Sequence, residues 1–157
     1  MVHTTRACAA AWELLACLVV FTLRPMQITD YEPAFALWTA TEGMSLTVAD
    51  SREGILRLLD RNQGLSAVAE REGRLVGTAL ASTDGRRGFI YHLAVERQIR
   101  GEGLGRQLVH WVMDRFRELG LARCNVLIFA QNEQGRQFWR HLGFRERPDL
   151  VIGSIDL

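Results

Sequence analysis

Two hydrophobic rhythms alternate along this chain. Residues 65–70, 75–82 and 89–95 are apolar or alternate with period two, which predicts strands. Glycine-bearing turns, Arg71-Glu72-Gly73-Arg74 and Asp84-Gly85-Arg86-Arg87-Gly88, separate them, so the three runs predict an antiparallel meander. The third run is apolar on both faces and belongs in the middle of the sheet. Leu104, Leu108, Trp111, Val112, Phe116 and Leu119 recur at helical spacing and predict an amphipathic helix closed by Gly120.

The flanking segments follow the same logic. Residues 21–25 read as a short strand stopped by Pro25. Asp30 is placed to cap a helix carrying Phe35, Leu37 and Trp38, and Asp50-Ser51 to cap a second with Ile55, Leu58 and Leu59 on one face. Residues 41–49 between them read as a loop. Residues 124–130 predict a strand, and Asn132 caps a short helix closed by Gly143. Residues 144–147 and 150–155 predict closing strands around Pro148. The order is strand, two helices, three antiparallel strands, helix, strand, helix, strands. This is a mixed α+β arrangement and not a regular βαβ alternation.

At 157 residues the chain suggests one domain, residues 21–157, behind an apolar extension of residues 1–20. Residues 7–21 are apolar except for Glu13. That stretch is short for a membrane span and lacks a clear cleavage site for a signal peptide. An extra N-terminal helix, or an extension from an upstream start, is the favoured reading. A net charge of +1 gives no sign of a nucleic-acid groove or a membrane surface. Cys8, Cys17 and Cys124 are odd in number and lack metal spacing, which suits buried thiols in a reducing cytoplasm and no metal site.

The candidate chemistry lies where the central strand gives way to the amphipathic helix. There the chain reads Gln98-Ile99-Arg100-Gly101-Glu102-Gly103-Leu104-Gly105-Arg106. Glycines let backbone N–H groups close on a phosphate, and a new helix adds free amides and the positive end of its dipole. A P-loop requires a lysine, and this chain has none. A dinucleotide fingerprint needs its third glycine one residue later, and an acid beyond it that residues 120–124 do not supply.

The loop resembles the pyrophosphate loop of the GNAT superfamily of acyl-CoA-dependent N-acetyltransferases, in which Gln or Arg is followed by two residues, Gly, one residue, and Gly or Ala. Asn132 to Phe144, with its Phe138-Trp139 pair and closing Gly143-Phe144, resembles that family's second motif. The likeness covers residues 21 to the end, and residues 84–95 look like a bacterial subgroup whose members mostly have no assigned substrate. It implies a mostly antiparallel sheet of six to seven strands, flanked by about four helices and splayed at an acyl-CoA cleft.

The resemblance also implies roles. Leu93, Ala94 and Val95 would pair with the pantetheine arm and polarise the thioester carbonyl. The amides of Gly101, Gly103, Leu104 and Gly105 would hold the pyrophosphate, with Arg100 and Arg106 adding charge. Asn132 and Phe138 would flank the pantetheine, although a helix cap and core packing are their plain alternatives. Trp139 stands where many members carry a tyrosine that protonates the leaving thiolate, and an indole N–H cannot supply that proton. Tyr91 is then a candidate to stabilise the sulfur. His92 and Glu42 are candidate bases for the amine, with a core histidine and a solvated acid as their alternatives.

The expected activity is direct transfer of acetyl from acetyl-CoA, the co-substrate, to a primary amine: a small molecule or a peptide N-terminus. A catalytically silent acyl-CoA-binding module is the competing reading. Family members often form dimers, so a homodimer is one expected assembly.

Overall fold

The computed structural model describes residues 21–155. The expectations for residues 1–20, including Cys8 and Cys17, lie outside the described residues. Five strands form one sheet in sequence order: β1 (Thr22–Pro25), β2 (Ala67–Arg71), β3 (Arg74–Thr83), β4 (Gly88–Val95) and β5 (Cys124–Val126). The first four pair antiparallel, and β5 joins β4 in parallel. Four helices flank the sheet: α1 (Tyr31–Thr39), α2 (Arg52–Arg61), α3 (Leu104–Glu118) and α4 (Glu133–His141).

The alternation of β2 sorts its side chains to two cores. Ala67 and Ala69 face α3, where Leu104, Leu108, Val109, Val112 and Phe116 are buried together with Trp139. Val68 faces the other way, with Leu80 and Ala94, against Trp38 of α1 and Ile55 of α2. Full burial of side chains such as Leu108 or Ile55 contributes about 1.5–3 kcal/mol each. Trp38 is fully buried, yet its indole N–H is not orphaned: it donates to Thr78 Oγ1 at 2.8 Å.

Gly88 sets how closely α3 approaches. A Cβ there would stand 2.3 Å from Phe116 Cε2, so only glycine lets that ring lie on the strand.

Four local expectations are revised. Asp30 does not cap α1 through its side chain; it pairs with Arg24 at 2.8 Å and accepts the Gln27 N–H at 2.9 Å. At α2 the cap is Ser51 alone, accepting from Gly54 N, which leaves the Asp50 carboxylate for other work. Strand β5 is three residues long and not seven, and among the described residues the closing strands at 144–147 and 150–155 do not form. That last segment turns at Pro148, where Arg147 binds Asp149 and Leu150 N–H returns to the Arg147 carbonyl. Arg136 and Arg140 of α4 hold Glu146 in front of it.

Candidate active site

The shortness of β5 is what opens the site. Its pairing with β4 runs from Gly88↔Cys124 to Ile90↔Val126 and stops. Beyond Ile90, β4 continues to Val95 with no parallel partner, and the chain after Val126 leaves the sheet. A strand edge unpaired inside a domain leaves backbone donors and acceptors available to a ligand.

The glycine loop lies at the far end of that edge. Gly101 and Gly103 have φ of +91° and +86°, and a Cβ on either would meet nothing within 4 Å. These glycines are therefore required by backbone conformation, and the space above them is open. Gly103 caps α3, with no side chain capping it. Its carbonyl takes the Gln107 N–H at 3.2 Å. The amides of Gly101, Gly103, Leu104, Gly105 and Arg106 carry no partner among the described residues. Four of them surround the start of a 15-residue helix, a site suited to an anion. Arg106 makes no ion pair among the described residues and is exposed beside them. Gly105 serves packing: a Cβ there would lie 3.3 Å from the Phe138 ring and 3.8 Å from Val95 Cγ2. Phe138 thus sits between the first turn of α3 and the end of β4. Trp139 turns away into the core, edge-on to Phe138 and Phe144.

Asn132 accepts Gly135 N–H at 2.9 Å as the cap of α4. Its amide also lies against Gly43 of the 41–49 loop, where a Cβ would come within 3.2 Å of Nδ2. Glu42 of the same loop pairs with Arg97 and Arg100, each at 3.4 Å. Arg100 Nε meanwhile donates to the Val95 carbonyl at 3.1 Å. The loop therefore touches both walls of the opening, α4 on one side and the end of β4 on the other. Both Glu42 pairs are long and the Glu42 side chain is exposed, so they hold the loop only weakly.

His92 is placed by an irregularity of β4. Thr78 pairs with Ala94 and Leu80 with Tyr91, so one residue of β3, Ala79, opposes two of β4, His92 and Leu93. His92 adopts φ +41°, a left-handed conformation that a non-glycine residue rarely takes. The bulge puts Tyr91 and His92 on the same side of the sheet. Tyr91 joins the α1/α2 core and stacks on Phe89 at 6.1 Å, while the His92 ring packs on Trp38 at 4.9 Å. Thr78 Oγ1 donates to the His92 carbonyl at 3.0 Å, and His92 Nε2 meets Asp50 Oδ1 at 2.6 Å. Both side chains of that pair are largely buried, 15% and 13% exposed.

Asp50, Trp38 and Thr78 escaped the sequence reading as site residues. One signal was present: Asp50 and Ser51 are two candidate caps side by side, and a helix uses one. The thiol of β5 is set apart from chemistry: burial pushes Cys124 up to about 12, so it is no nucleophile at neutral pH. Asp84 is engaged within its own turn, accepting the Arg86 and Arg87 amides. Among the described residues no group of three metal-ligating side chains assembles, and no helix is long and apolar enough to cross a membrane.

A sheet opened between two parallel strands, with an uncapped glycine-led helix at the end of the opening, is built to take an extended ligand that ends in an anion. The comparisons give this architecture its family. The profile described as the Acetyltransferase (GNAT) family matches residues 30–144, and this chain belongs to that family. It is an N-acetyltransferase. Acetyltransferase YE1169 of Yersinia enterocolitica is 25% identical over 132 residues, covering 84% of this chain and 93% of its own. Ard1 of Thermoplasma volcanium is similar in structure, with a TM-score of 0.73 at 21% identity, over 81% of this chain and 84% of its own. So is AAC(6')-Iy in complex with the bisubstrate analog CoA-S-monomethyl-acetylneamine, with a TM-score of 0.71 at 20% identity, over 88% of this chain and 99% of its own.

Proposed function

We propose that this enzyme takes acetyl from acetyl-CoA and passes it to a primary amine by direct attack, with both substrates bound together. The observation that carries the reading is the open edge of β4 ending at the unpartnered amides of the Gly101–Arg106 loop. Acetyl-CoA supplies an activated thioester and a pyrophosphate, and the residues present fit both parts. The amides of Gly101, Gly103, Leu104 and Gly105, with Arg100 and Arg106, hold the anion; charge-assisted contacts of this kind are worth about 1.5–3 kcal/mol each. Asn132 and Phe138 flank the arm. Leu93, Ala94 and Val95 offer backbone groups to it, and an N–H aimed at the carbonyl oxygen stabilises the charge that develops there.

The chain's remaining task is proton transfer. An alkyl ammonium must lose its proton before its lone pair can form the new C–N bond, and the attacking nitrogen sheds a second as the C–S bond breaks. His92, at the bulge, accepts the first proton, and the second passes to water, which covers the one the sulfur takes up. The departing sulfur, a good leaving group as a thiolate, gains one from water, with the Tyr91 hydroxyl available nearby on the same strand. The buried Trp139 takes no part. A small-molecule amine and a peptide N-terminus both suit this chemistry. AAC(6')-Iy, whose complex carries an acetylneamine analog, illustrates the first kind in a protein of the same fold.

Calorimetry with acetyl-CoA on the wild-type protein and on Gly103→Glu tests the cofactor assignment. Micromolar binding that the variant loses supports it. Absence of binding by the wild-type protein overturns it. A screen of amine acceptors by CoA release then tests transfer, and binding without turnover on any amine would favour the silent module instead.

A further inference from the structure

We infer that Asp50 is a positioning residue: it holds His92 as the Nε2–H tautomer and so makes Nδ1 the atom that takes the amine's proton. The inference rests on the reading of His92 as the base, and deepens it. An ionised carboxylate only accepts hydrogen bonds. At 2.6 Å from Asp50 Oδ1, Nε2 must therefore carry the hydrogen. In the neutral ring the lone pair then belongs to Nδ1. Nδ1 has no hydrogen-bond partner among the described residues, while no buried side-chain nitrogen or oxygen there is left without one. It follows that Nδ1 is reached by solvent, on a ring otherwise enclosed by Trp38 and Asp50.

The carboxylate is itself held from several sides. Its Oδ2 accepts the Thr47 N–H at 2.7 Å and lies 3.2 Å from Thr47 Oγ1, closing a small capping box around the turn Val48–Asp50. The Tyr31 hydroxyl donates to the Asp50 carbonyl at 3.0 Å. Gly54 lets the same turn lie directly on α2. The histidine is held equally: its backbone by the bulge and the Thr78 hydroxyl, its ring by contact with the Trp38 indole. Asp50 uses Oδ2 for the turn and Oδ1 for the ring. The proton taken at Nδ1 gives an imidazolium whose opposite N–H already faces an anion, which stabilises the charge where it forms.

The decisive measurement is the tautomer, read by long-range proton–nitrogen correlation spectra of the 15N-histidine-labelled protein above the ordinary imidazole titration range. His92 is expected as Nε2–H. In Asp50→Asn the side-chain amide can donate to Nε2 instead, while its oxygen still accepts from Thr47. The expected result is a shift toward Nδ1–H and a fall in kcat of about 10-fold or more, because the base atom is then protonated. KM for acetyl-CoA should hold within about 2-fold, as the glycine loop is untouched. A wild-type Nδ1–H tautomer overturns the inference without touching the activity. So does a rate lost in His92→Gln but kept in Asp50→Asn, which spares the base assignment. An undiminished rate in His92→Gln overturns the base assignment and the inference with it.

Discussion

Replacing Gly54 by alanine separates two opposed forces, and the structure decides which wins. Gly54 is the third residue of α2, where an alanine ordinarily stabilises a helix by about 0.5–1 kcal/mol over glycine. Here its Cβ would stand 2.0 Å from the Ala49 carbonyl oxygen and 2.9 Å from the Ala49 carbonyl carbon. Both are backbone atoms, with no flexible tip to swing aside. Restoring an ordinary contact requires a displacement of about 1.4 Å, an overpacking that costs about 1–3 kcal/mol and exceeds the propensity gain. What must move is the turn Val48–Asp50, and the Asp50–His92 contact of 2.6 Å moves with it. Misplacement on this scale beside a reacting group can cost about 10²-fold in rate. The expected outcome is a Tm lowered by several degrees, at about 2–4 °C per kcal/mol, with kcat reduced and KM for acetyl-CoA preserved. Thermal unfolding and steady-state kinetics on Gly54→Ala check both. A raised Tm with an unchanged kcat would refute the reasoning, because it would mean that α2 and the Asp50 turn are not in contact.

Further outcomes follow from the same geometry. Gly88→Ala should destabilise the domain by about 1–3 kcal/mol in urea unfolding, since its Cβ meets three atoms of the Phe116 ring within 2.7 Å, and adding Phe116→Leu should recover part of the loss. Burial works against the Asp30 carboxylate, but the Arg24 guanidinium and the Gln27 N–H outweigh it and hold its pKa below the usual value. The stability Asp30 contributes is thus full above the ordinary aspartate range and lost as pH falls through its lowered value; urea midpoints of wild type and Asp30→Asn should differ at pH about 6 and converge in acid. Arg100→Ala should weaken acetyl-CoA binding by about 10-fold in calorimetry, with a shallower dependence on salt, if its guanidinium leaves Glu42 for the phosphates. Cys124, raised to about 12 by burial, should resist iodoacetamide in the native protein and react only on unfolding, as peptide mass spectrometry would read.

Much of this protein is legible in one dimension because its signals are local. The meander needs only period-two runs and glycine turns, and α3 needs only its apolar stripe. The glycine loop is readable because a left-handed φ at Gly101 and Gly103 is a constraint on single residues. The cap of α4 by Asn132 is legible for a similar reason, since it needs only the residue three places on.

What depended on tertiary structure is whatever rests on register or on partners distant in sequence. Residues 124–130 have strand character throughout, but a strand lasts only as long as its neighbour stays alongside, and β4 and β5 part at Ile90 and Val126. The closing strands fail on the same ground: apolar residues such as Val151 and Ile152 have β propensity, yet no described strand pairs with them. Period two would set His92 opposite Tyr91, and one inserted residue at the bulge puts both on the same face. Asp50 lies 42 residues from His92 and reaches it only because α1 and α2 pack on that face. The sequence alone determined the antiparallel meander, the helices and the glycine loop that leads into α3. The tertiary structure decided where the sheet opens, which way the histidine faces and what holds it, because strand pairing, bulges and long-range contacts are properties of neighbours that a local pattern does not contain.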